Sequence, residues 1–196
     1  MAIAMEANPG YPATYDVAYP EKLSRLLIFV KWLLVIPHVV VLYLLLLALY
    51  VVNVIAWFSI LFTKRYPEGL FKFSVGVLRW NLNVNAYSGL MRDEYPPFSM
   101  DAGQYAVAFD VAYPGELSRW LIFVKWLLAI PHFIVLLFLG LAALVVEIIA
   151  WFAILFTGQY PRGLFDFAVG VNRWSARVNA YVLLFTDVYP PFSTKP

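Results

Sequence analysis

The chain has 196 residues, of which 63% are hydrophobic and 13% charged, with a mean hydropathy of +0.75 and a net charge of +2. An average domain is about 45–50% apolar and about 25% charged, and a fold of this length leaves too much surface in water to hide the excess. The expected solvent is lipid. A water-soluble enzyme is excluded on this reading, as is a nucleic-acid binder, for which no basic tract is present. The absence of cysteine removes disulfides, thiolate metal sites and cysteine nucleophiles.

In chain order, residues 1–13 form a tail without the basic start and apolar core of a signal peptide. From there the sequence is a tandem duplication. Residues 14–99 realign on 108–193 at a constant offset of 94 without a gap, with 56 of 86 positions identical. Residues 100–107 are the polar linker between the copies.

Each copy opens with a segment of alternating side chains, Tyr15–Tyr19 and Tyr105–Tyr113, which reads as a strand; the two are expected to pair as a small ribbon outside the membrane. Next comes Glu21–Val35, with Pro20 suited to a first helical turn. Its charges fall on one half of the helical circle, and about 15 residues are too few to span, so it reads as an interfacial amphipathic helix. Lys31 and Lys125 are then expected to snorkel to headgroups.

Residues 37–62 and 131–156 are the secure spans: about 39 Å of helix at 1.5 Å per residue, enough for a core of about 30 Å. A turn at 63–69 leads into Leu70–Met91, whose nine Leu, Val or Phe residues compete with Arg79 and three asparagines. This segment inserts only if its polar stripe faces protein. Two copies with matching charges should enter the membrane the same way round, so each should cross an even number of times. The expected fold is therefore an all-α integral membrane protein of two pseudo-symmetric repeats. It has four spanning helices, two interfacial helices and short β-like segments outside. Two alternatives stay open: residues 22–36 pair with 38–62 while 67–91 lies flat, or the repeats are inverted with one span each. Seven Lys/Arg on the termini side against four on the turn side bias the termini to the cytoplasm.

The candidate residues for function are the few polar groups inside apolar segments. Lys72, Gly76, Arg79 and Asn83 share one helix face; the second copy has Asp166, Gly170, Arg173 and Arg177 there. They suggest a polar pathway or a headgroup site, or else structural ion pairs. Glu147, where the first copy has Asn53, suggests a cation relay or an interhelical bond. Asn85 and Asn179 suit polar contacts between helices, and Gly76 and Gly170 suit close helix approach. Trp57, Trp151, Tyr66 and Tyr160 suit an aromatic belt. His38 and His132, each following a proline, are possible axial ligands for haem or a chlorophyll-type pigment, although a helix-start histidine needs no ligand. No metal-ligand spacing, phosphate loop or nucleophile triad occurs, so no catalytic residue or metal site is expected.

The repeated set Asp-Val-Ala-Tyr-Pro, Leu-Ser-Arg, Ile-Pro-His, Ile-Ala-Trp-Phe, Tyr-Pro-x-Gly-Leu-Phe, Arg-Trp, Val-Asn-Ala-Tyr and Tyr-Pro-Pro-Phe resembles a bacterial membrane family, the domain of unknown function numbered 4389. The resemblance implies a bacterial inner-membrane protein with tandem copies, and it carries no assigned activity, cofactor or site. The function expected is a non-catalytic accessory or scaffold subunit of a larger membrane complex, contacting other integral-membrane subunits and bound lipids. The alternatives are a small transporter, channel or lipid-handling protein and, more remotely, a pigment or haem subunit.

Overall fold

A computed structural model describes residues 10–196; the first nine residues of the expected tail lie outside the described residues. The elements are β1 (Ala13–Val17), a 3-10 turn (Leu27–Phe29), α1 (Lys31–Leu34), α2 (Ile36–Thr63) and α3 (Glu68–Ser88). The second copy repeats them as β2 (Val107–Val111), α4 (Leu121–Leu128), α5 (Ile130–Thr157) and α6 (Arg162–Val182). The fold is mostly helical, with one two-stranded sheet.

The long helices form where apolar residues run on without interruption. Pro37 and Pro131 sit in their first turns, where a missing N–H costs nothing. The same prolines cannot continue the preceding helix, which separates α4 from α5 at Ala129 within one apolar stretch, Leu121–Thr157. At their C-termini both helices turn through a left-handed residue, Lys64 (φ 59°) in the first and Gly158 (φ 73°) in the second; glycine adopts this conformation without the steric cost that lysine bears. Two helices, Ile36–Thr63 and Leu121–Thr157, are long and apolar enough to cross a membrane.

Four spanning helices are not what the fold presents. Helices α3 and α6 lie inside the protein, with twelve buried residues each. Each packs along the long helix of its own repeat and also beneath a strand. Within the polar stripe that made insertion doubtful, Arg79 and Arg173 are satisfied by protein, and the partner is chiefly the ribbon.

The ribbon itself is antiparallel, with Tyr15 opposite Phe109, Thr14 opposite Asp110 and Asp16 opposite Ala108. Since 15 and 109 are equivalent positions of the two repeats, a local two-fold axis passes through this pair, perpendicular to the ribbon. Ala13, Tyr15, Val17, Val107, Phe109 and Val111 face inward and enter the main core with Phe71, Val75, Phe165 and Val169.

Reciprocal contacts extend the same two-fold through the molecule. Leu23 donates its N–H to the Gly158 carbonyl, and Leu117 donates to that of Lys64, both at 2.8 Å. Tyr19 Oη donates to the Tyr160 carbonyl and Tyr113 Oη to that of Tyr66. Phe29 meets Trp151 edge-on, and Phe123 meets Trp57 likewise. Read along the chain, these contacts pair 117 and 123 with 64 and 57, so α4 and its continuation α5 run opposite to α2. Contact of Phe71 with Phe185, the start of α3 against the segment after α6, gives those inner helices the same opposed sense.

Three local expectations change. Residues 21–35 do not form a 15-residue helix: only the 3-10 turn and α1 are helical there, because Leu23 N–H is bound to the other repeat and Ser24 N–H to Asp93. Lys31 and Lys125 do not snorkel outward; both are 2% exposed. Tyr66 and Tyr160 are buried core residues rather than belt residues, whereas Trp57 and Trp151 are half-buried.

Candidate functional site

The polar groups inside the apolar segments sort into three repeated constructions and one singular residue. The first is an arginine clamp. Arg79 projects from α3 and donates through Nε to the Phe109 carbonyl (2.9 Å), through Nη1 to the Met100 carbonyl (2.7 Å) and through Nη2 to Asp110 (3.0 Å). Arg173 on α6 repeats the pattern on Tyr15 (2.9 Å), Thr194 (3.0 Å) and Asp16 (2.8 Å). Each guanidinium thus holds the strand of the other repeat and the C-terminal strap of its own. The planar fork of donors suits arginine to three simultaneous acceptors. The straps cross the helices at Gly76 and Gly170, where a Cβ would lie 2.7 Å from Met100 Cβ and 2.9 Å from Thr194 Cβ. These glycines admit a strap, not a neighbouring helix as the sequence suggested.

The second construction is a buried histidine–indole pair. Trp80 Nε1 donates to His38 Nδ1 and Trp174 Nε1 to His132 Nδ1, both at 3.0 Å. Both imidazoles are fully buried. They stack on Phe98 and Phe192 of the Tyr-Pro-Pro-Phe straps at 3.9 Å between centroids. Nδ1 is an acceptor in this arrangement, so the proton belongs on Nε2. The contacts on the Nδ1 side give both histidines a packing role, while Nε2 of each ring is buried without a hydrogen-bond partner among the described residues.

The third is a buried lysine. Lys31 Nζ lies 3.0 Å from Asp93 and donates to the Arg92 carbonyl at 2.6 Å; Lys125 lies 2.8 Å from Asp187 and donates to Thr186 at 2.7 Å. Each ammonium also sits over a tyrosine ring, Tyr87 or Tyr181. Burial pulls the Lys31 pKa below the ordinary lysine value, while the hydrogen bond to Asp93 opposes it. The sequence missed both this pairing and the indole partners. The recurrence of Lys, Asp and Arg-Trp at the same offset was the available signal, but it gives no distance.

The remaining candidates are dispersed. Lys72 is exposed and pairs with Glu68 one turn earlier. Arg177 is buried, donates to Ser193 at 3.4 Å and lies over the Tyr11 ring; its Nε has no hydrogen-bond partner among the described residues. Asn85 receives no ligand-like arrangement either: its amide donates to Asn81 at 3.1 Å. Asn179 contributes its carbonyl to the turn that ends α6. Glu147 faces open space. It lies between a cleft of about 460 Å³, lined by Lys31, Trp32, Leu144 and Trp151, and one of about 260 Å³ that brings it to Asn85 and Asn172. No group of three or more acidic or histidine side chains among the described residues is placed to hold a metal ion.

These features define a class: a two-repeat helical protein, locked across a pseudo-two-fold axis, with two long apolar helices on its outside. The family match agrees with this duplication. Residues 25–100 and 119–194 each match the family described as a domain of unknown function (DUF4389), and the chain belongs to that family. No curated protein and no solved structure matches it.

Proposed function

We propose that the protein is a non-catalytic accessory or scaffold subunit of a bacterial inner-membrane complex, with its outer helices packed against lipid and partner helices. One observation carries the reading. Arg79, Arg173, Lys31 and Lys125 are bound to carboxylates and backbone carbonyls, while the large apolar side chains of α2 and α5 stay uncovered, among them Tyr43, Leu47, Phe58, Phe138, Leu141 and Phe156. A surface of that kind marks an interaction site. The test is purification from native membranes in mild detergent. Integral-membrane partners at fixed stoichiometry are expected; recovery of the free chain alone overturns the proposal.

A second reading, a small lipid-handling protein or transporter, is favoured by Glu147 in its apolar cleft. Glu147→Gln that leaves lipid and ion flux in proteoliposomes unchanged removes it.

A further inference from the structure

Resting on the reading of the apolar surface as membrane-embedded, we propose that α2 and α5 lie flat within one leaflet and do not cross the bilayer. The occupant of their outer faces is then a single leaflet of acyl chains.

The two-fold axis passes through the Tyr15–Phe109 pair, perpendicular to the ribbon, and α2 and α5 run in opposite senses on either side of it. If these helices crossed the bilayer, the axis would lie in the membrane plane at mid-depth. The ribbon on that axis carries Asp16 and Asp110, 56% and 60% exposed, and both would face hydrocarbon, where a charge is strongly disfavoured. If instead the axis stands along the bilayer normal, the ribbon faces water and the helices lie in the plane.

Charge placement agrees. The grooves flanking the ribbon are lined by Glu68, Lys72 and Asp101 on one side and by Arg162, Asp166 and Lys195 on the other. The ribbon packs on α3 and α6 rather than on the long helices, so charge gathers at one end of the axis and apolar surface away from it. Exposed basic residues also mark the C-terminal ends of the long helices: Lys64 and Arg65 by α2, and Arg25 beside Gly158 at the end of α5. In the flat orientation both ends meet headgroups of the same leaflet, where cations are favoured. The parity requirement of the repeat is met as well. Two copies with matching charges enter the membrane the same way round, and each crosses it zero times.

The chain has no cysteine, so single cysteines report position directly. Arg65→Cys and Gln159→Cys mark equivalent exposed ends of the two long helices, Ala108→Cys the outer face of the ribbon and Leu47→Cys the apolar face. The probe is a membrane-impermeant maleimide applied to right-side-out and inside-out vesicles from expressing cells. The expected result is labelling of positions 65, 108 and 159 in one vesicle orientation only, the same for all three, with position 47 protected until detergent is added. Labelling of 65 and 159 from opposite sides, or protection of 108 in both preparations, overturns the flat orientation while leaving membrane residence intact. Recovery of the chain in the soluble fraction, or labelling of 47 without detergent, overturns the membrane reading itself.

Discussion

Arg79 of the first repeat closes on Asp110 of the second at 3.0 Å, and Arg173 of the second closes on Asp16 of the first at 2.8 Å. Each repeat is therefore incomplete alone: two of the three acceptors of its arginine come from the other copy's strand. The exposed carboxylates add little, since ion pairs open to water are worth about 0–1 kcal/mol. The backbone carbonyls beneath them matter more, because a buried acceptor left without its donor costs about 1–3 kcal/mol.

This division predicts unequal mutants. Arg173→Met should lower stability by about 2–4 kcal/mol, and Asp16→Asn by less than about 1 kcal/mol. Thermal unfolding in detergent compares them. Equal losses would mean that the ion pair, and not the carbonyl contacts, carries the clamp.

The shared axis makes a prediction about a single repeat. A chain of residues 1–103 contains both Arg79 and Asp16, so two copies should associate with Tyr15 opposite Tyr15 and each Arg79 on the partner copy's Asp16. Light scattering should find a dimer, and Arg79→Met should weaken it. A folded monomer would contradict the exchange.

The straps rest on glycine. Gly170→Ala places a methyl 2.9 Å from Thr194 Cβ and 3.0 Å from its carbonyl oxygen, so the C-terminal strap must shift; a loss of about 1–3 kcal/mol is expected, as for other overpacked sites. Gly163→Ala, on the same helix with nothing within 4 Å, serves as the control and should be neutral or stabilising. Hydrogen exchange should rise for residues 192–195 in the first variant and not in the second.

Trp80→Phe keeps the ring that packs on Phe98 but removes the N–H given to His38 Nδ1. A buried acceptor without a donor should cost about 1–3 kcal/mol. The imidazole ¹⁵N shifts should move from those of a hydrogen-bonded Nδ1 acceptor; unchanged shifts would argue against the pair.

Asp93→Asn leaves the Lys31 ammonium, 2% exposed, without its counter-charge. Breaking a buried pair on one side costs about 3–5 kcal/mol, whereas replacing both partners is often close to neutral. Lys31→Met combined with Asp93→Asn should therefore recover much of the loss in denaturant titrations. The folded-state pKa of Lys31 lies below its unfolded value, so the unfolded chain binds the extra proton between the two. This group's contribution to stability rises with pH across that window.

The sequence by itself determined the duplication, the two long apolar helices, the ribbon segments and the family, because each is written in local pattern: a fixed offset, an unbroken apolar run, alternation, a repeated set of motifs. It also marked Arg79, Arg173, His38 and His132 as residues that need an explanation. It did not determine what satisfies them. Arg79 and Asp110 are 31 positions apart, and Arg173 and Asp16 are 157 apart; periodicity carries no information about partners across such separations. The relation between the repeats was likewise beyond local reading. Matching charges required the two copies to face the membrane alike, and a pair of spanning hairpins met that requirement as well as any other arrangement. Only the antiparallel pairing of Tyr15 with Phe109 fixed where the two-fold axis runs, and only the reciprocal contacts of Leu23 with Gly158 and Phe123 with Trp57 fixed the opposed sense of α2 and α5. The physical reason is that an apolar helix of about 40 Å is equally compatible with crossing a bilayer or lying in one; its neighbours across the axis decide which.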